Sequence, residues 1–106
     1  MTLGDKQKLF TKMVGQLIGH AYDLGYELTF GRAYASEAAN EADGGISNSN
    51  HRNRLAIDLN LFKNGEYLTL TEDHIELGIY WESIGGTWGG RFQDGNHYSL
   101  EHNGVK

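Results

Sequence analysis

Apolar residues near the start of the chain recur every three or four positions: Phe10, Met13, Leu17 and Ala21, with Val14 and Ile18 beside them. That spacing is one face of an amphipathic helix, expected over residues 5–24 with Asp5 as N-cap and Gly25 as its end. Further along, the pattern changes to strict alternation. Leu55, Ile57, Leu59 and Leu61 alternate with Arg54, Ala56, Asp58 and Asn60, the period of a half-buried strand over 54–62. Lys63-Asn64-Gly65 is a hairpin turn signal, with a return strand expected over 67–71. Thr71 is then expected to cap a second helix with Leu77, Trp81 and Ile84 on its inner face. Weaker signals predict a strand over 26–30, a short helix over 36–42 and a polar loop over 46–50. They also predict a tight glycine-rich loop over 85–90 and a last strand over 97–101. Together these make a small α+β domain, an antiparallel sheet with helices packed on one side.

Composition narrows what such a domain does. At 106 residues, with 39% hydrophobic and 22% charged positions, the chain fits one folded domain. It contains no cysteine, which excludes thiolate metal sites, disulfides and a cysteine nucleophile. A net charge of -5 argues against a nucleic-acid partner. No run of 18 apolar residues exists, so stable membrane insertion is not expected. The first residues lack an apolar signal-peptide core, so synthesis in the cytoplasm without a signal peptide is expected.

The chemistry must then come from His, Asp and Glu. Among His20, His51, His74, His97 and His102, two are placed beside carboxylates at strand ends. His51 opens the alternating strand that carries Asp58 on its polar face, and His97 opens the last strand with Asp94 three residues before it. Two imidazoles and a carboxylate are a donor set for a catalytic metal, and a further carboxylate close by can act as general base. His20 and His74 fall on helices, and alternation puts His102 on the opposite face from His97.

These residues carry a family resemblance. Ser49-Asn50-His51-Arg52-Asn53-Arg54-Leu55-Ala56-Ile57-Asp58 resembles the SxHxxGxAxD motif of the D-alanyl-D-alanine carboxypeptidase and L-alanyl-D-glutamate endopeptidase family of zinc peptidases. Trp88-Gly89-Gly90, Phe92 and Asp94-Gly95-Asn96-His97 resemble its second motif, a WGG turn followed by (D/E)xxH. The resemblance is greatest to the phage endolysin branch and runs over about residues 26–102. It implies one zinc peptidase domain over 1–106, with an N-terminal helix over 1–25 and a catalytic core over 26–102, in a fold shared with the Hedgehog N-terminal domain. It implies Zn2+ held by His51, Asp58 and His97, Asp94 as catalytic carboxylate, and a peptidoglycan stem peptide as substrate. It further implies action on the cell wall after holin-dependent release, by a protein expected to be a monomer.

Two departures bear on the remaining roles. Arg54 stands where the motif has glycine, which on a strand would put a cation on the metal-facing side. The family's upstream arginine, which steadies the substrate carbonyl or oxyanion, has Arg32 as its nearest counterpart. Ser49, Trp88 and Arg54 complete the expected substrate-binding set. Two other functions stay open on the sequence: a zinc- or cell-wall-binding module without turnover, and a small metal-dependent nuclease suggested by His51-Arg52-Asn53-Arg54.

Overall fold

Residues Leu3–Asp23 form helix α1, with Phe10, Met13, Leu17 and Ala21 buried along one stripe. Its cap is not the expected Asp5. Thr2 is the N-cap: its Oγ1 accepts from the Asp5 N–H at 3.1 Å, and the Asp5 carboxylate accepts from the Thr2 N–H at 3.1 Å. This reciprocal box satisfies two orphan donors where a single cap satisfies one. Gly25, at φ +90°, turns the chain out of the helix.

The computed structural model describes residues 1–34 and 50–106. The helix expected over 36–42 and most of the loop over 46–50 lie outside them. The described strands are β1 (Glu27–Phe30), β2 (Ala56–Lys63), β3 (Glu66–Leu68), β4 (Thr87–Trp88) and β5 (His97–Ser99). All pairs are antiparallel, in the order β1-β2-β5-β4, with β3 also on β2. β1 takes one edge of β2, while β5 and β3 share the other, pairing with its first and last residues respectively. Asn64 and Gly65, both at positive φ, make the two-residue turn between β2 and β3.

Leu55, Ile57, Leu59 and Leu61 face a core built with α1, Leu77 and Trp81 of helix α2 (Ile75–Ser83), Trp88 and Tyr98. Both described helices therefore cover the same side of the sheet, and among the described residues no helix covers the side bearing Asp58, Asn60 and Phe62. Three local expectations need correction. Thr71 does not cap α2: residues Thr71–His74 form a 3-10 turn, and the Asp73 carboxylate accepts from the Leu70 N–H at 3.0 Å. The glycine-rich stretch is not a loop throughout, because Thr87–Trp88 add a strand and Gly89–Phe92 a 3-10 turn. Arg54 is not on a strand: it sits at φ +57° in the turn before β2.

His74 is 2% exposed, with Nδ1 2.8 Å from the Tyr98 hydroxyl. Burial holds its pKa down at about 4, with Asp73 pulling weakly the other way. Between about 6.5 and 4 the unfolded chain therefore binds a proton that the folded chain does not. This contribution to stability is complete above about 6.5 and is lost as pH falls through 4, a change of up to about 3 kcal/mol. Thermal unfolding of chelator-treated protein from pH 7 to pH 4 should show that acid slope, and His74→Gln should flatten it. An equal slope in both proteins contradicts the assignment.

Candidate metal centre

Three segments converge on the open face of β2. Asp58 lies on β2, and His97, the first residue of β5, is its direct cross-strand partner, so both side chains rise from the same face. His51 arrives from the turn before β2. That turn is closed by the Leu55 N–H on the Asn50 carbonyl at 2.8 Å, and buried Asn50 ties it to the chain end by donating to the Leu100 and Val105 carbonyls.

Asp58 Oδ1 is 3.4 Å from His51 Nε2 and 3.5 Å from His97 Nδ1. It is buried without a hydrogen-bond partner, so these are approaches of charge to ring rather than aligned bonds. The outer nitrogens explain why. His51 Nδ1 is 3.0 Å from the Ala33 carbonyl and His97 Nε2 is 3.3 Å from the Lys106 main-chain oxygen. A carbonyl only accepts, which assigns the ring proton to each outer nitrogen and leaves His51 Nε2 and His97 Nδ1 as lone pairs. Three acceptors thus face one point, with candidate donor atoms all within 4.8 Å of one another. Without a cation that arrangement is repulsive; with one it is a ligand set whose outer contacts fix both rings. Two imidazoles and a carboxylate fit zinc.

Without a metal, a proton can relieve the same crowding, since ionised Asp58 favours the charged form of His51. Burial alone would raise the Asp58 carboxyl, but His51 and His97 outweigh it and hold it at about 2. Burial acts to lower His51, yet Asp58 and the Ala33 carbonyl outweigh it and the net shift is upward, with the Arg32 charge opposing.

Asp94 stands beside this group rather than in it. Its Oδ2 is 3.9 Å from His97 Nδ1, and its side chain is 51% exposed. The turn that carries it is built by main chain and neighbours: Asp94 N–H to Gly89 carbonyl, His97 N–H to Asp94 carbonyl, and Trp88 Nε1–H to Gly95 carbonyl at 2.8 Å. A Cβ at Gly89 would overlap the Asp94 main-chain oxygen and the His97 Cβ, so this WGG glycine lets the turn press against the metal side.

The remaining expected site residues separate. Arg32 borders the centre: its carbonyl accepts from the Asp58 N–H at 2.7 Å, while the Gly31 N–H binds the Asp58 carbonyl at 2.8 Å. Two residues thus oppose one, a bulge that places Arg32 on the β1 edge of the site. Arg54 is exposed on its turn, with its guanidinium 4.3 Å from the ring centroid of Tyr34, the residue after the Ala33 whose carbonyl meets His51. The positive φ of Arg54 is the backbone state in which the motif's glycine is at home. Trp88 is 4% exposed with its N–H committed to Gly95, so it braces the Asp94 turn and presents no open face to a ligand. Ser49 lies outside the described residues.

Sequence reasoning overlooked two features here. Phe92, which the second motif includes but to which no site role was given, is 47% exposed with its ring 5.9 Å from that of His97. A polar cleft beside Asp94 also draws on β2, β3 and the 3-10 turn at Thr71–His74, residues that only the sheet pairing brings together. The other histidines have separate roles: His20 stacks on Tyr80 and His102 contacts Lys6. Among the described residues, His51, Asp58 and His97 are the group able to hold a metal.

Comparison with known proteins agrees with this geometry. The sequence model of the D-alanyl-D-alanine carboxypeptidase family matches residues 41–100, more than half of the chain and the whole span from His51 to His97. No curated protein sequence was found to match. The segment that assembles the His-Asp-His group is the segment the family model covers, and the chain belongs to the D-alanyl-D-alanine carboxypeptidase family of peptidases.

Proposed function

We propose that the protein is a zinc-dependent peptidoglycan peptidase of the phage endolysin kind. It hydrolyses stem-peptide amide bonds next to D-amino acids, as an L-alanyl-D-glutamate endopeptidase or a D-Ala-D-Ala carboxypeptidase. The observation that carries this is the orphaned Asp58 Oδ1 facing two imidazole lone pairs, with Asp94 at the rim and the family's sequence pattern around them.

His51, Asp58 and His97 would hold the ion, which supplies Lewis acidity that polarises the scissile carbonyl and acidifies water. The chain's own residues do the rest. Asp94, with its exposed carboxylate 3.9 Å from His97 Nδ1, takes the proton from the attacking water and returns it to the leaving amide nitrogen. Arg32 stabilises the charge that develops on the carbonyl oxygen from the β1 edge. Synthesis in the host cytoplasm and release to the cell wall belong to the same proposal.

Arg32→Ala should then retain metal while turnover drops roughly a hundredfold, as for one lost oxyanion donor. Wild-type turnover in that variant would remove Arg32 from the mechanism. The proposal as a whole is tested by incubating metal-loaded protein with purified peptidoglycan and measuring new amino groups. Chelator-sensitive release is expected. Intact peptidoglycan would overturn the proposal, and plasmid nicking in its place would favour a nuclease.

A further inference from the structure

Residues 100–106 reach both histidines of the metal centre from outside. The Leu100 N–H donates to the Leu55 carbonyl at 2.9 Å and extends the pairing of β2 with β5 by one residue. His102 and Val105 then pair with each other, N–H to carbonyl in both directions, at 3.0 and 2.9 Å. Asn103 and Gly104, at φ +50° and +80°, make the tight turn between them. The reversal delivers two main-chain oxygens to the site. The Lys106 oxygen lies 3.3 Å from His97 Nε2, and the Val105 carbonyl accepts from Asn50 Nδ2 at 2.7 Å.

Asn50 is where this hairpin meets the second histidine. It directly precedes His51, is 2% exposed, and also donates to the Leu100 carbonyl at 3.3 Å. Its own carbonyl accepts from the Leu55 N–H and closes the turn that carries His51. A buried amide with this many partners fixes the spacing between the His51 turn and the hairpin, because breaking any bond leaves a buried polar group unpaired. Hydrophobic burial does not explain the hairpin, since residues 101–106 contribute no side chain to the core. Its outer side is held by α1, where Lys6 Nζ lies 3.2 Å from His102 Nδ1 and 3.5 Å from the Glu101 carbonyl.

We propose that the His102–Val105 hairpin and Asn50 form one clamp that aims both histidines at the metal, with Asn50 as a positioning residue. The Lys106 oxygen fixes the His97 ring, Asn50 fixes the turn of His51, and both contacts depend on the same hairpin. Metal held between the rings must in turn hold the hairpin closed, because such coupling is reciprocal. The inference rests on the metal centre proposed above.

Zinc Kd, measured by competition with a chromophoric chelator, tests the clamp in wild type, Asn50→Ala and Gly104→Val. Gly104 is exposed with open space at its Cβ, so valine disturbs the positive-φ turn without touching the core or the ligands. Asn50→Ala should raise Kd roughly ten- to a hundredfold and Gly104→Val about tenfold. In the wild type, zinc should slow hydrogen exchange at the His102 and Val105 amides. A purely structural brace would lower the thermal midpoint and leave Kd unchanged. Wild-type affinity in either folded variant, or exchange indifferent to zinc, would therefore overturn the clamp alone. Where Asn50→Ala does not fold, Gly104→Val decides. A wild-type protein that binds no zinc would remove the metal centre and the clamp together.

Discussion

His97→Ala and His51→Ala are each expected to lose bound metal and, with it, hydrolysis. Each ring contributes one of two nitrogen lone pairs facing Asp58 Oδ1, and each is aimed by a main-chain oxygen on its far side. Removing only such an outer partner commonly weakens metal affinity by about ten- to a hundredfold; removing the ligand itself should exceed that. The fold should survive. His97 is buried too, but it begins β5 on the face of Asp58, while Tyr98 belongs to the hydrophobic core on the other side. Dialysis against buffered zinc, followed by metal analysis and circular dichroism, checks this. A folded His97→Ala protein with full metal and full activity would contradict it.

Asp94→Asn should separate catalysis from metal binding. The amide keeps the size of the side chain and still forms hydrogen bonds, but it cannot accept the proton of the attacking water. The turn does not depend on the carboxylate: main-chain bonds to Gly89 and His97, the Trp88 N–H and the Thr71 hydroxyl hold it. The variant should therefore fold and bind metal as the wild type does, while kcat falls by a factor on the order of a hundred to ten thousand. Full hydrolysis by a metal-loaded Asp94→Asn protein would show that Asp94 serves only the turn. Loss of metal in that variant would make it a ligand.

Much of the fold and the centre was legible in the residues alone. The stripe of Phe10, Met13, Leu17 and Ala21, the alternation from Leu55 to Leu61 and the Asn64-Gly65 turn each carry a single strong period or backbone requirement. Their elements formed where expected within a residue or two. His51, Asp58 and His97 were legible because their residue types, spacing and surrounding motif all pointed to one chemistry. What the chain did not reveal depended on competition or on long-range pairing. Thr2 outcompeted Asp5 by forming two reciprocal bonds, and the Thr71 hydroxyl went to the Gly95 N–H instead of a helix cap. Thr87–Trp88 became a strand only because β5 lay alongside. The cleft at Asn60 has no local signature, since Asn60, Tyr67 and Asn96 become neighbours only through the sheet.

The central claim is that His51, Asp58 and His97 form a metal centre on which hydrolysis depends. Elemental analysis of purified, buffer-exchanged protein beside its Asp58→Ala variant, with peptide hydrolysis measured on the same samples, tests it most directly. About one zinc per chain is expected in the first and almost none in the second, with hydrolysis following the metal. Undiminished peptide hydrolysis by a sample containing no metal would contradict it.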